Sequence, residues 1–179
     1  MAENKDIREG LKEMRKEKDM FFKNNARSPI PQEEKENFEG LNYFPIDLDY
    51  LYKLRLLEYE KNEIIEVNDN KGSKQEFIRW GYFDFTVNGK EVTLNAYKSD
   101  PEEARLWVPF KDATNGEETY GAGRYIDLHA QNKIEEKWIL DFNQAYNPFC
   151  AYSEDYVCPL IPSKNWLEVR IEAGEKKYK

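Results

Sequence analysis

The chain has 179 residues, of which 40% are hydrophobic, 15% aromatic and 35% charged. This length suits one domain that buries roughly two-thirds of the surface of its unfolded chain, and the aromatic share favours β structure. The net charge of −8 argues against the basic face that a nucleic-acid or anionic-membrane partner requires. We therefore expect neither partner.

The sequence also predicts a compartment. No apolar run is long enough to span a bilayer, and the first residues, MAENKDIREGLKEM, contain no apolar signal region. We expect a cytoplasmic protein, with an exported form as the alternative if a leader was removed. The two cysteines, Cys150 and Cys158, cannot form a disulfide framework and are expected to be reduced.

Two helices are predicted at the start of the chain. Ile7, Leu11, Met14 and Phe21 fall at helical spacings within residues 5–24. Residues 31–38 follow a Ser-Pro break and predict a short second helix. The first helix is interpreted as a lid that packs on a sheet, with a partner-binding or dimerisation element as the alternative.

From Tyr50 onward, apolar and polar residues alternate with a period of two, which is typical of strands. The pair Asn88-Gly89 separates two alternating runs and is a strong hairpin signal. Further strands are expected at 106–110 and 166–172. A second hairpin is expected to pair residues 119–128 with residues 137–143.

These elements predict a mainly β (α+β) fold. We expect an antiparallel β-sandwich or a partly open β-barrel with one or two N-terminal helices. Residues 1–27 would form the N-terminal helix, and residues 28–179 a single β-rich domain.

Polar and conformationally special residues interrupt the strand patterns between Leu106 and Cys158. Such departures from local consistency mark functional or strained sites. The candidate ligand-binding residues therefore come from this region: Asp112, Tyr120, Arg124, Asp141, Asn143, Tyr146, Asn147, Cys150 and Tyr152.

The segment YGAGRY, residues 120–125, is expected to be part of a strand in which Gly121 and Gly123 leave one face bare for a close neighbour. Aromatic packing over the glycines is favoured over a phosphate loop, because no helix begins there. Arg124 would either clamp an anionic ligand or form a structural pair with an aspartate that ties the sheet to the 112–117 turn. The structural pair is the favoured alternative, because a buried arginine needs a partner.

Asp112, Asp141 and Asn143 offer acid–base groups or oxygen ligands for a hard metal. Cys150 offers a nucleophile without an obvious base, so both cysteines are expected to act as small buried hydrophobes. The long loop after Asn143 either satisfies its own backbone or lines a small-molecule pocket. The sequence predicts no metal site and no cofactor, since one histidine and two cysteines do not match zinc-site spacings.

The strings VPFKDATNGEETYGAGRYIDL and LDFNQAYNPFCAYSEDYVCPL resemble the signature blocks of the bacterial and archaeal family called domain of unknown function 1684. The segments NFEGLNYFPID and GYFDFTVNGKEVTLNAYKS are similar to it as well, so the resemblance spans residues 28–174. It implies one complete domain of a family without an assigned role. It brings no activity, cofactor or catalytic residue.

Three functional hypotheses follow. The first is a binding module that holds a small polar or anionic ligand in a pocket between a β-hairpin end and the 143–158 loop. The second is a hydrolase or lyase that uses Asp112, Asp141 or Cys150 with Arg124 as the anion stabiliser. The third is a structural or interaction protein that uses its N-terminal helix, and a homo-oligomer is compatible with it.

Overall fold

The computed structural model describes residues 2–179. Helix α1 (Ala2–Asn24) and the single-turn helix α2 (Gln32–Lys35) come first. The strands that follow within these residues are β1 (Leu51–Leu54), β2 (Leu57–Asn68), β3 (Lys74–Val87), β4 (Lys90–Lys98), β5 (Leu106–Phe110), β6 (Arg124–Leu128), β7 (Lys133–Ile134) and β8 (Lys137–Asp141). Both predicted helices are present, although the second is shorter than expected.

The strands form two antiparallel sheets. The larger sheet has the order β2-β3-β4-β5-β6, and the smaller has the order β1-β8-β7. Phe83 and Leu94 of the larger sheet share one apolar core with Leu140 of the smaller sheet and with Phe142 just after it. The predicted mainly β class is confirmed, and the sheets do not close into a barrel.

The hairpin predicted at Asn88-Gly89 is confirmed as the β3–β4 turn. Both residues have positive φ, 49° and 80°, which a two-residue turn of the favoured hand requires. Phe83 and Phe85 of β3 face the core together with Leu94 of β4. The alternation read from the sequence therefore fixes which face of this hairpin is buried.

The second predicted hairpin is wrong. β6 pairs with β5, and β8 pairs with β1, so that Tyr125 lies opposite Pro109 and Asp141 opposite Leu51. The residues between β6 and β8 fold back on themselves instead, because Ile134 pairs with Lys137 across a tight turn with Glu135 at φ 54°. This small local hairpin separates the two strands that were expected to be partners.

The strand predicted at residues 166–172 is also absent from the structure. That segment follows residues 111–113 through single hydrogen bonds, from Leu167 N to the Lys111 carbonyl and from Ala113 N to the Val169 carbonyl, each 2.8 Å. The Ile171 amide donates to the Asp112 side chain rather than to a strand, over 2.8 Å. A carboxylate thus replaces the neighbouring backbone that a regular ladder would need.

Helix α1 packs against the β-rich part of the chain. Leu11 and Phe22 on α1 are buried, and Phe22 makes an edge contact with Tyr152 at 5.1 Å between ring centroids. The Arg15 guanidinium donates to the Phe44 carbonyl over 2.9 Å. Neither helix in residues 2–179 combines the length and apolar character needed to cross a membrane.

Strand β2 forms an outer edge of the larger sheet. Its pairing with β3 is interrupted by a bulge between Glu58 and Glu63, and most of its side chains are exposed.

Candidate functional site

Arg124 and Asp112 form a buried ion pair, with both side chains at 0% exposure and 3.0 Å between Nη2 and Oδ1. The guanidinium also donates to the carbonyls of Ile171, Ala173 and Glu175. Burial lowers the pKa of Arg124, and the Asp112 carboxylate opposes this change. The geometry corresponds to the favoured structural pair that ties β6 to the 112–117 turn, and no face of the guanidinium is open to a ligand.

The region before Arg124 differs from the predicted strand. β6 begins only at Arg124, because the Gly123 amide closes a turn onto the Tyr120 carbonyl at 3.0 Å. Gly123 has φ +101°, and a Cβ there would lie 2.7 Å from the Phe110 carbonyl oxygen and 2.8 Å from Ile161. The close neighbour expected over the glycines is therefore backbone and an aliphatic side chain, not an aromatic ring or a ligand.

A cleft of about 240 Å³ lies beneath helix α1, where the end of β6 meets the loop that follows β8. We call it the α1 cleft. It is lined by charged and aromatic side chains from five parts of the chain, chiefly Arg15, Lys18, Tyr43, Asp127, Tyr146 and Glu175. Two backbone hydrogen bonds between Tyr125 and Tyr146 hold the loop against β6, at 2.9 and 3.0 Å.

Glu175 is a buried carboxylate with 1% exposure. One of its oxygens pairs with the Lys18 ammonium. The other accepts from the Asn147 amide at 2.9 Å and from the Tyr152 hydroxyl at 2.5 Å. Burial next to this carboxylate raises the pKa of Tyr152. Glu175 is thus held by protein donors on both oxygens, and Lys18 is its counter-charge.

Arg15 differs, because the described residues offer it no carboxylate at salt-bridge distance. Its guanidinium donates to the carbonyls of Phe44 and Asn143, at 2.9 and 3.4 Å, and lies over the Tyr43 ring at 4.4 Å. Burial lowers the pKa of Arg15. Six buried side-chain atoms within residues 2–179 lack a regular hydrogen-bond partner. Two of them, Arg15 Nε and the Tyr43 hydroxyl, belong to residues that line this cleft.

The pKa of Tyr43 is raised, first by burial and then by the nearby Glu175 and Asp19 carboxylates. Its hydroxyl therefore stays protonated at neutral pH and is available as a donor. Glu175 also raises this pKa through a side-chain contact with the Tyr43 hydroxyl, although that contact lies outside the geometry of a regular hydrogen bond.

Tyr146 and Asp127 form the far wall of the cleft. The Tyr146 hydroxyl donates to Asp127 Oδ2 at 2.6 Å, and Arg105 Nη1 donates to Asp127 Oδ1 at 3.2 Å. Burial and the adjacent Asp127 raise the pKa of Tyr146. This wall is internally satisfied, and the Lys18 ammonium lies 5.1 Å from the centre of the Tyr146 ring.

The structure separates the residues predicted for one site. Asn143 and Tyr146 line the α1 cleft, while Asn147 and Tyr152 lie behind it on Glu175. Asp141 accepts from the Asn143 amide at 2.9 Å and so caps the turn after β8. The remaining candidates lie elsewhere. Asp112 and Arg124 form the buried ion pair, and the Tyr120 hydroxyl lies 3.8 Å from the Cys150 sulfur.

Five of the charged and aromatic residues that line the cleft were missed, namely Arg15, Lys18, Tyr43, Asp127 and Glu175. A signal for two of them exists in the sequence. Leu11, Arg15, Lys18 and Phe22 follow the spacing of one helix face, so two cations lie within the stripe that packs inward. Within residues 2–179, no cluster of three acidic, histidine or cysteine side chains is arranged to hold a metal ion.

Fold and cleft together define a class of mainly antiparallel β proteins in which an N-terminal helix covers a charged cleft. Residues 36–176 match the family model described as Protein of unknown function (DUF1684), and the chain belongs to this family. No curated protein matches the chain.

A solved structure extends the likeness beyond the family model. The chain is similar to the solution NMR structure of an uncharacterised protein from Haloarcula marismortui, with 36% sequence identity and a TM-score of 0.74. The match covers 98% of this chain and 96% of that one, so it includes helix α1.

Proposed function

We propose that the α1 cleft binds a small organic molecule that carries an anionic group. The observation that carries the proposal is the pair of unsatisfied donors, Arg15 Nε and the Tyr43 hydroxyl, in the lining of a cleft. A buried polar group without a partner costs about 1–3 kcal/mol. The two side chains are stacked against each other, and a small local opening of the cleft wall would expose both donors to a ligand oxygen, which would remove this cost.

The charges in the cleft favour an anion over a cation or a neutral ligand. Glu175 is matched by Lys18, and Asp127 is matched by Arg105. Arg15 is the cation left without a carboxylate at salt-bridge distance among the described residues. A guanidinium binds a carboxylate or phosphate through parallel hydrogen bonds, so Arg15 supplies the anion-recognising group in this proposal.

The size of the cleft limits the ligand. Its volume is about 240 Å³, which is below the range of about 300–1,000 Å³ typical of drug-sized ligands. Met14, Ile126 and the rings of Tyr43 and Tyr146 supply apolar surface. The expected ligand is therefore a compact carboxylate with a short apolar portion.

This proposal agrees with the hypothesis of a binding module whose pocket lies at the end of β6, beside the loop after Asn143. It differs in the arginine that is expected to bind the anion. Arg15 from the helix takes the anion-binding role that was one of the two alternatives for Arg124. The inward face of α1 supports the lid interpretation of the helix. The hydrolase or lyase hypothesis gains no support, because Asp112, Asp141 and Cys150 lie in three different environments.

The test is ligand capture by matched variants. Denaturing the purified protein and analysing the released small molecules by mass spectrometry is expected to identify an organic anion. Tyr43→Phe removes a donor that has no protein partner, so the fold is expected to survive while affinity falls by roughly tenfold. Arg15→Gln is expected to reduce affinity by roughly 10–100-fold, because it removes a charged donor.

Arg170→Gln is the control, since this arginine is 41% exposed and pairs with surface glutamates. It is expected to bind the anion as the wild type does. A panel of small carboxylates, with acetate, lactate and malate as first probes, provides a second assay through the thermal unfolding midpoint. If no anion is released and no carboxylate raises that midpoint, the proposal fails.

A further inference from the structure

A second region, independent of the α1 cleft, brings the two cysteines together. The Cys150 amide donates to the Cys158 sulfur at 3.3 Å, across a loop whose tip includes the exposed residues Glu154 and Asp155. The Cys158 amide is itself anchored to the Asn70 side chain at 2.8 Å. Both thiols are free.

The spacing is compatible with a bond between the two sulfurs. A backbone nitrogen lies about 1.46 Å from its own Cα, so the Cys158 sulfur lies within about 4.8 Å of the Cys150 Cα. Disulfides join residues whose Cα atoms are typically about 5.5–6 Å apart and whose Cβ atoms are about 3.8 Å apart. The Cys158 sulfur thus lies within reach of the Cys150 side chain, which also contacts it.

The two sulfurs have different surroundings, since only the Cys158 sulfur accepts a hydrogen bond from the Cys150 amide. The pKa of Cys158 is lowered to about 7, chiefly because the Cys150 thiol donates to it, and the amides of Cys150 and Phe149 add to this effect against the opposing effect of burial. The pKa of Cys150 is raised, because its proton is held between the sulfurs. A thiolate is the reactive form of cysteine, so Cys158 is the nucleophile and Cys150 the resolving thiol.

We propose that Cys150 and Cys158 form a redox-active dithiol site that a peroxide oxidises to an intramolecular disulfide. A small oxidant suits the site, because Cys158 is only 8% exposed while Cys150 is half-buried. The Cys158 thiolate attacks one peroxide oxygen, the O–O bond breaks, and uptake of a proton releases the other oxygen as water, or as an alcohol from an organic peroxide. Cys158 is then a sulfenic acid.

The Cys150 sulfur next attacks the Cys158 sulfur. The S–O bond breaks, the S–S bond forms, and the hydroxyl leaves as water with the Cys150 proton. The pair has then given two electrons to the peroxide, and a dithiol reductant reverses the reaction by thiol–disulfide exchange. The Tyr120 hydroxyl lies 3.8 Å from the Cys150 sulfur.

The experiment treats the folded full-length protein with hydrogen peroxide, alkylates the remaining thiols and measures intact mass and linked peptides. The wild type is expected to lose two hydrogens and both alkylatable thiols, to yield a Cys150–Cys158 linked peptide, and to recover on treatment with dithiothreitol. Cys150→Ser is expected to stop at a Cys158 sulfenic acid that a dimedone-type reagent traps. Cys158→Ser is expected to oxidise at least about tenfold more slowly near pH 7, because it lacks the sulfur that accepts from the Cys150 amide and is therefore favoured as a thiolate.

Three results would overturn the proposal: both thiols remain alkylatable in the oxidised wild type, only intermolecular disulfides form, or Cys158→Ser oxidises at the wild-type rate. Circular dichroism checks that the serine variants are folded. If either variant does not fold, the linked peptide of the wild type still decides whether the disulfide forms.

Discussion

Arg124 and Asp112 form an ion pair in which both side chains have 0% exposure. Asp112 also accepts from the Thr114 and Ile171 amides, at 3.2 and 2.8 Å. The pair therefore joins three segments: β6, the 112–117 turn and the irregular segment near Ile171. Removing one partner leaves a desolvated charge, which is far more costly than losing a surface ion pair.

We expect Asp112→Asn to lower the free energy of unfolding by about 3–5 kcal/mol, because Arg124 is left without a counter-charge. Urea denaturation followed by circular dichroism measures the change. The exposed Asp155 offers a matched control, and Asp155→Asn is expected to change the stability by less than about 0.5 kcal/mol. Equal unfolding midpoints for the two variants would show that the pair is not important for stability.

Gly123 offers a second test at a single residue. We expect Gly123→Ala to destabilise the fold by about 2–4 kcal/mol, because the new methyl group meets the Phe110 carbonyl and Ile161 at a positive φ. Gly116 also has positive φ, but a Cβ there meets nothing within 4 Å. Gly116→Ala should therefore cost only about 1 kcal/mol of backbone strain. A similar loss in both variants would mean that strain, and not crowding, dominates.

Single residues also mark the limit of sequence-based prediction here. The Arg124–Asp112 pair was predictable, since an arginine among apolar strand residues requires a partner. The cleft residues Arg15 and Lys18 were not identified, because Met14 and Phe21 gave α1 a second apolar stripe. Both of those side chains are more than one-third exposed in the structure. Hydrophobicity alone does not decide between two overlapping faces of one helix.

At the scale of elements, helix α1 packs on the β-rich part of the chain through the aromatic ring of Phe22. Polar contacts of Arg15 and Lys18 in the α1 cleft add to this attachment. Phe22 is 1% exposed and contacts Phe38, Phe149 and Tyr152 at centroid distances between 5.1 and 6.4 Å. We expect Phe22→Ala to destabilise the protein by about 3–5 kcal/mol through the cavity it leaves.

The neighbouring Phe21 provides the control for this element, because it is 38% exposed. Phe21→Ala should cost less than about 1 kcal/mol. Hydrogen exchange of the α1 amides measures the local effect of each substitution. Faster exchange in α1 for Phe21→Ala than for Phe22→Ala would contradict the assigned packing face.

Elements were predictable where one local signal determined them. The β3–β4 hairpin follows from Asn88-Gly89 and from strict alternation on both sides. The pairing of β6 with β5, and of β8 with β1, was not predictable in this way, because strand partners that are distant in sequence leave no local mark. The segment near Ile171 alternates like a strand, but Asp112 accepts its amide hydrogen bond, which no period in the sequence reveals.

At the scale of the whole molecule, the two sheets share one apolar core, which includes Phe83, Leu140 and Phe142. We expect one cooperative unfolding transition, because neither sheet can lose the other without exposing this core. Far-ultraviolet circular dichroism and tryptophan fluorescence should give the same urea midpoint. Two separate midpoints would contradict the prediction of a single β-rich domain for residues 28–179.

Tryptophans from different regions make this comparison specific. Trp107 lies in the larger sheet, in an apolar cluster separate from the shared core, and Trp138 lies in the smaller sheet. Fluorescence of Trp138→Phe would report on the larger sheet and the segment beside it, and a variant that keeps only Trp138 would report on the smaller sheet. Coincident midpoints, after correction for the stability of each variant, would show that the sheets unfold together.

The exposed edge strand β2 has a consequence for the behaviour of many molecules in one solution. An unpaired strand edge can add to the same edge of another copy and begin aggregation. Glu58 and Glu60 place negative charges along this edge, while Glu63 pairs with Arg79 and Glu66 with Lys74, and the bulge bends its ladder. The negative charges oppose pairing between copies, so the protection against aggregation is expected to weaken in concentrated salt, which screens them.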